Sequence, residues 1–320
     1  MQIPMESLRL AVGLLPKAIF DYIALGAIGA PLIAVLLELT GKASKKIFYD
    51  KLAQQIASMS LILFAVFIIA TGGTLAYVAH TWKWTLDWLK NPESPMMIVY
   101  ASLIISAVFL IAYKYSWKKL KKQKAFHILL GIIAVLGGVS FIHSGTMTMR
   151  LVFGLVGSNP EPTVPDIPVL DHLLVVPGPT VMALGALYVI MAFTFAGSAG
   201  GLYLVLRRNK DNFGRDYYKF ALPVISRWGL FPMIVQLISI GWLLSYFVTP
   251  SLDTLMQNTG MLVTIGGAAV LNIICCAIWA VAWKSATPMR HKIGLAAAPI
   301  LVILAHSLIM AGAFSIFVKL

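Results

Sequence analysis

The chain alternates long apolar runs with short charged clusters, and the length of the runs carries the first inference. Stretches without Asp, Glu, Lys or Arg extend from Leu52 to Trp82, Ser94 to Tyr113, Ala125 to Met149, His172 to Leu206, Gly229 to Leu252, Thr254 to Trp283 and Ile293 to Val318. An eighth lies between Asp21 and Glu38 and has apolar neighbours on both sides. A helix needs roughly 20 predominantly apolar residues to cross the hydrocarbon of a bilayer. The pattern therefore predicts helices near 18–40, 53–79, 95–117, 125–147, 178–206, 218–248, 258–283 and 293–317. The expected fold class is an all-α integral membrane protein with eight transmembrane helices. The preceding segment, MESLRLAVGLLPKAIF, either lies in the membrane interface as a short amphipathic helix or extends the first span.

Composition agrees. The chain is 59% hydrophobic and 12% charged, with a mean hydropathy of +0.87. Soluble domains are about half apolar and about a quarter charged. The net charge of +13 could suit nucleic acid, but the basic residues sit in short clusters between apolar runs, so a nucleic-acid partner is not expected. The adjacent cysteines Cys275 and Cys276 imply no disulfide framework, and no CxxCH motif offers covalent haem attachment. The amino terminus lacks a short apolar core with a small-residue cleavage site, so the first span is expected to stay in the mature protein.

Charge placement sets the expected orientation. The loops near 41–51, 114–124, 207–219 and 284–292 carry four, six, five and three Lys/Arg, eighteen in all. The two ends and the loops on the other side carry six, and Arg227 lies within the sixth span. Basic loops stay cytoplasmic, so both termini are expected on the periplasmic side of a cytoplasmic membrane. Trp82, Trp84 and Trp88 suit an outer interfacial belt, and the acids Glu161, Asp166 and Asp171 fall in an outer loop.

The two halves resemble each other. DYIALGAIGAPLIAVLLELTGK in the first span is similar to AFTFAGSAGGLYLVLRRNK in the fifth, and FYDKLAQQIAS after the one to DYYKFALPVIS after the other. SFIHSG and ILAHSL close the halves. Two tandem four-helix bundles are expected, at residues 1–150 and 177–320, with an outer loop at 151–176. Even-numbered halves repeat in the same direction, about an axis along the membrane normal.

Ionisable groups within spans are costly and are candidates for function. Asp21, near the outer end of the first span, is read as lacking a partner nearby in sequence and as a proton acceptor or a wetted interfacial carboxylate. Glu38 has Lys42 four residues on, an ordinary helix pair. Arg227 either snorkels to the inner headgroups or binds a cofactor, pairing with a cofactor carboxylate such as a haem b propionate or contacting a quinone. His80, His143 and His306 fall in the outer halves of their spans. His143 with His80 or His306, or a histidine with one of the fourteen methionines, could hold a haem b, whose iron is the only metal expected, and a histidine could instead take a proton beside a quinone. Each could equally be a neutral, hydrogen-bonded core residue. His127 and His291 are read as solvated, and His172 as an outer-loop residue facing a partner. There is no phosphate-cradling glycine loop, HExxH or nucleophile elbow.

SWKKLKKQKAFHILLGIIAVLGGVSFIHSGTMTM, GGLYLVLRRNKDNFGRDYYKFALPV and LELTGKASKKIFYDKLAQQI resemble segments of subunit I of cytochrome bd-type quinol oxidases. The resemblance implies a respiratory membrane subunit handling quinol. The chain departs from it in having no histidine before His80, no glutamate in MIVYASLIISAVFLIAY, no histidine in PTVMALGALYV, and only TPSLDTLMQN where that family has a long quinol-binding loop. Oxygen reduction by this chain alone is therefore not expected. NPESPM before the third span, with the eight-helix tandem layout, resembles the NrfD/polysulfide-reductase membrane subunits, which implies quinone binding without haem.

Both resemblances lead to one expectation: a quinol dehydrogenase or quinone reductase subunit in an oxidoreductase complex. It would pass electrons between the quinone pool and a periplasmic multihaem cytochrome or iron–sulfur subunit, beside other membrane subunits. Asp21 or His143 would handle protons, and His80, His143, His306 and Arg227 would bind the cofactor. The rivals are a transporter, which would have helices broken at mid-membrane, and a cofactor-free structural anchor; Pro31 and Pro232 interrupt the first and sixth spans, but neither segment holds the polar, glycine-rich break expected around a bound ion.

Overall fold

A computed structural model describes residues 5–81, 86–87, 90–94, 96–156, 179–247 and 259–317. The described helices are α1 (Met5–Gly13), α2 (Leu15–Ser44), α3 (Ile47–Thr81), α4 (Met96–Tyr115), α5 (Lys124–Val156), α6 (Pro179–Arg207), α7 (Gly214–Phe247), α8 (Thr259–Lys284) and α9 (Lys292–Phe317). Eight of them, α2 to α9, are long and apolar enough to cross a membrane. The expected Trp belt (Trp82, Trp84, Trp88), most of the 151–176 loop with His172, and the 249–257 loop lie outside the described residues.

The spans are longer than the apolar runs alone suggest. Helix α3 starts at Ile47 rather than near 53, and α5 continues to Val156, past the expected boundary at 150. Lysine is a good helix former, so the basic cluster around Lys51 does not keep α3 from starting outside the hydrocarbon. What stops α2 is Lys45, which takes the left-handed conformation at φ 54 and turns the chain into α3. Ser94 starts α4, its Oγ accepting from the Met96 N–H at 3.2 Å.

The segment before the first span is a separate helix. Pro16, in the first turn of α2, lacks an N–H to continue the ladder from α1. Helix α1 packs on α8 and α9, and the Ser307 hydroxyl donates to the Ala11 carbonyl.

Helices α2, α3, α4 and α5 pack in a ring, each against the next and α5 back on α2; α6 to α9 form a second ring with the same order. The rings meet chiefly along α2 and α6, the first helix of each half. Hydrocarbon gives apolar side chains no reason to leave lipid, so membrane helices associate through close packing of small residues. Gly29 shows this. A Cβ placed there would overlap the Ala192 carbonyl of α6. Gly197 does the same between α6 and α7, where a Cβ would fall 2.5 Å from the Gly229 nitrogen. Pro31 and Pro232 sit inside unbroken helices, so the described residues show no helix break at either proline.

Gly29→Ala should lower the thermal unfolding midpoint of the detergent-solubilised protein, at a cost of about 1–3 kcal/mol from overpacking. Gly13→Ala, with nothing within 4 Å of its added Cβ, should leave the midpoint unchanged or slightly raised. Equal midpoints for the two variants would overturn the α2–α6 contact described above.

Candidate functional site: two carboxylate–histidine pairs on one helix

Helix α2 carries two acids, Asp21 and Glu38, separated by seventeen positions, roughly 25 Å at a rise of about 1.5 Å per residue. Both are buried, Asp21 at 7% and Glu38 at 1% exposure. A carboxylate removed from water must find charge or hydrogen-bond partners. Each takes a histidine from the last helix of a different bundle.

At the end of the molecule where α2 begins, Asp21 Oδ2 meets His306 Nε2 of α9 at 3.1 Å, and Lys17 Nζ lies 2.5 Å from Oδ1. A neutral imidazole protonated on Nε2 satisfies this arrangement by donating to the carboxylate. His306 Nδ1 is buried with no partner, and the edge of Phe195 packs against the ring at 5.5 Å. The Lys17 side chain is 54% exposed, so the cluster reaches the chain's surface through it. Asp21 thus has the partner four residues away that was not expected, at ordinary helical ion-pair spacing.

At the basic end, Glu38 does not pair with Lys42. Its Oε2 accepts from the Tyr113 hydroxyl at 2.9 Å, and His127 Nδ1 lies 2.9 Å from both carboxyl oxygens. His127 Nε2 is 2.9 Å from the Tyr113 carbonyl. A carbonyl only accepts, so Nε2 bears a proton; Glu38 and Nδ1 hold one further proton between them. The imidazole packs against the rings of Tyr113 and Trp117, which also touch each other. His127 is 2% exposed and is therefore not the solvated residue expected from its place beside the lysine cluster. His291 is partly buried, with Nε2 3.2 Å from the Ser285 hydroxyl.

Close by, Tyr217 donates to Gln55 Oε1 at 2.6 Å, Gln55 Nε2 to Asp211 Oδ2 at 2.7 Å, and Tyr218 to the same oxygen at 2.5 Å. Lys124 pairs with Asp50 at 2.8 Å. These bonds tie α3 to the α6–α7 connection and to α5.

The remaining candidates are dispersed. His80 and His143 are exposed on α3 and α5. Their helix faces open outward, whereas His306 faces inward and is committed through Nε2 to Asp21. For His306 to ligate a haem iron through Nε2, the imidazole would have to abandon a buried carboxylate. Arg227 is separate from both pairs and lines a groove of about 570 Å³ between α2, α6 and α7. The Glu38–Tyr113–His127 set was missed in sequence because its members lie on three helices. Its one signal was a glutamate in an apolar run.

Fold and site together define a multi-pass helical membrane protein with protonatable pairs buried between its helices. Its architecture is similar to a chain of the bd oxidase from Geobacillus thermodenitrificans, with a TM-score of 0.72 and 13% identity over 98% of this chain and 88% of that one. No protein-family model matches the chain, and no curated protein matches it in sequence. The bd-type resemblance read from the sequence therefore holds at the level of the fold.

His127→Ala should be the most damaging change at the basic end, because it strands a buried carboxylate; loss of one partner from such a pair costs about 3–5 kcal/mol. Tyr113→Phe removes one hydrogen bond to a charged group and should cost about 1.5–3 kcal/mol. Unfolding midpoints of the two variants in detergent check the order, and a milder effect for His127→Ala would count against the pairing.

Proposed function

We propose that this chain is a membrane subunit of a respiratory electron-transfer complex, one that manages protons for quinol oxidation while partner subunits carry the redox centres. The observation that carries the reading is the likeness in fold to a bd oxidase chain along nearly the whole length. The buried Asp21–His306 pair supports it independently, since an intramembrane acid with an imidazole partner is proton-handling chemistry.

The distribution of eighteen Lys/Arg on one side against six on the other supports a cytoplasmic basic end and periplasmic termini. Asp21 then lies toward the periplasm, where protons from quinol oxidation would be released. Quinone supplies two-electron, two-proton chemistry when bound; the chain's own groups supply a place for the proton. Protonation at Asp21 Oδ1 leaves the His306 bond on Oδ2 in place. Lys17, half exposed, then loses its counter-ion and opens the way outward. Electrons would pass to a periplasmic multihaem cytochrome or iron–sulfur subunit. An NrfD-like anchor role without haem in this chain is favoured over a haem-bearing one by the engagement of His306 with Asp21.

In the purified complex, Asp21→Asn should reduce quinol-dependent electron transfer by roughly 100-fold or more, the scale of a positioned acid–base group, while Asp21→Glu retains part of it. His143→Ala and His306→Ala should leave the visible haem spectrum of the complex unchanged. A complex with neither haem absorbance nor binding of a quinone analogue, or a spectrum lost in either histidine variant, would overturn this assignment.

A further inference from the structure

The groove beside Arg227 has a chemistry that neither proton-bearing pair uses. Arg227 stands on a membrane-spanning helix, α7, yet no carboxylate pairs with it among the described residues, and its Nε is buried without a partner. The nearby acids are spent: Glu38 on Tyr113 and His127, Asp50 on Lys124. Arg227 is partly buried with its Nε enclosed, and a guanidinium so placed is stabilised when something anionic completes it.

The rest of the groove says what form that anion takes. Phe193 and Trp228 stack at 5.9 Å on one wall, and Phe231 and Val235, exposed at 49% and 47%, continue along α7 toward the surrounding lipid. Tyr49, at the start of α3, lines the basic end of the same space. None of the lining residues is a carboxylate or histidine, so the groove lacks the proton acceptor that a working quinol site requires. A single cation at the head of an open apolar channel instead matches an amphiphile with one anionic group.

We propose that this groove binds an acidic phospholipid of the leaflet at the basic end, its phosphate on the Arg227 guanidinium and one acyl chain along Trp228, Phe231 and Val235. Arginine suits this role because its planar donors can take two phosphate oxygens at once. The bound lipid supplies the counter-charge that the chain lacks, and fills the seam where α2, α6 and α7 meet.

The test uses the full chain, delipidated in detergent and titrated with phosphatidylglycerol, phosphatidylcholine, inorganic phosphate or a soluble quinone. Retention is read by native mass spectrometry and by the shift in unfolding temperature. One phosphatidylglycerol should be retained and should raise the midpoint, with Arg227→Gln binding it roughly ten- to 100-fold more weakly, the worth of a charge-assisted bond, and Arg227→Lys keeping most of the affinity. Val235→Trp, which leaves the guanidinium in place and fills the channel, should lose retention too and keeps the proposal testable if Arg227→Gln does not fold. Equal retention by wild type and both variants would overturn it. So would protection by inorganic phosphate equal to that by the lipid, or binding of the quinone in place of the lipid.

Discussion

The close approach of α2 to α6 is the contact on which the rest of the structure depends. In lipid the association of helices rests on packing and polar pairing, with little help from hydrophobic burial. Glycine at position 29 lets the two backbones meet at the Ala192 carbonyl. It brings the first helix of one bundle against the first helix of the other. Helix α2 consequently packs against α3, α5, α6 and α9, and nearly every residue from Ala24 to Val35 is buried. A polar group on such a helix cannot escape to water by changing rotamer. It must be answered by whatever the neighbouring helices present.

Asp21 and Glu38 are answered differently, and the difference bears on what each can do. Glu38 has a phenol and an imidazole, and that imidazole has both ring nitrogens committed. With two aromatic rings packed against His127, the set is locked, and a locked network specifies a structure more readily than it moves a proton. Asp21 has slack. One imidazole nitrogen beside it is free, and its second partner is a lysine on a flexible stem that reaches the surface. Slack of that kind allows a change of protonation without leaving several groups unsatisfied at once. In the proposed function and topology, Glu38 is then the structural acid near the cytoplasmic side and Asp21 the exchangeable one near the other.

Hydrophobic run length located all eight spans, because a lipid-solvated helix must be apolar along most of its surface. The ends were less legible. A lysine cluster marks where the hydrocarbon ends, whereas α3 already begins within one, at Ile47, and α5 runs on past Arg150 to Val156. The site was partly legible for the same reason that the spans were: an acid in an apolar run stands out. Its partners did not. His127 looked solvated because its neighbours in sequence are lysines, but a helix turns its faces about 100° per residue and presents this one to Glu38. The His–Ser pairs that made the halves look alike proved unequal, with His143 exposed and His306 buried. Local similarity said nothing about which way each face points.

That inequality reaches further than the histidines. The two rings share helix order and contacts, yet both buried acids lie on α2, and the corresponding α6 has no acidic residue at all. The second half contributes the answering group, His306, and the second half also supplies Arg227, a cation without an acid. A repeated scaffold would place such groups in related pairs if both halves performed the same chemistry. Asp21 of the first half is answered across the interface by His306 of the second, whereas Glu38 is answered by Tyr113 and His127 within its own half. The Asp21–His306 pair, which joins α2 to α9, is then a property of the joined halves, which neither four-helix ring possesses by itself.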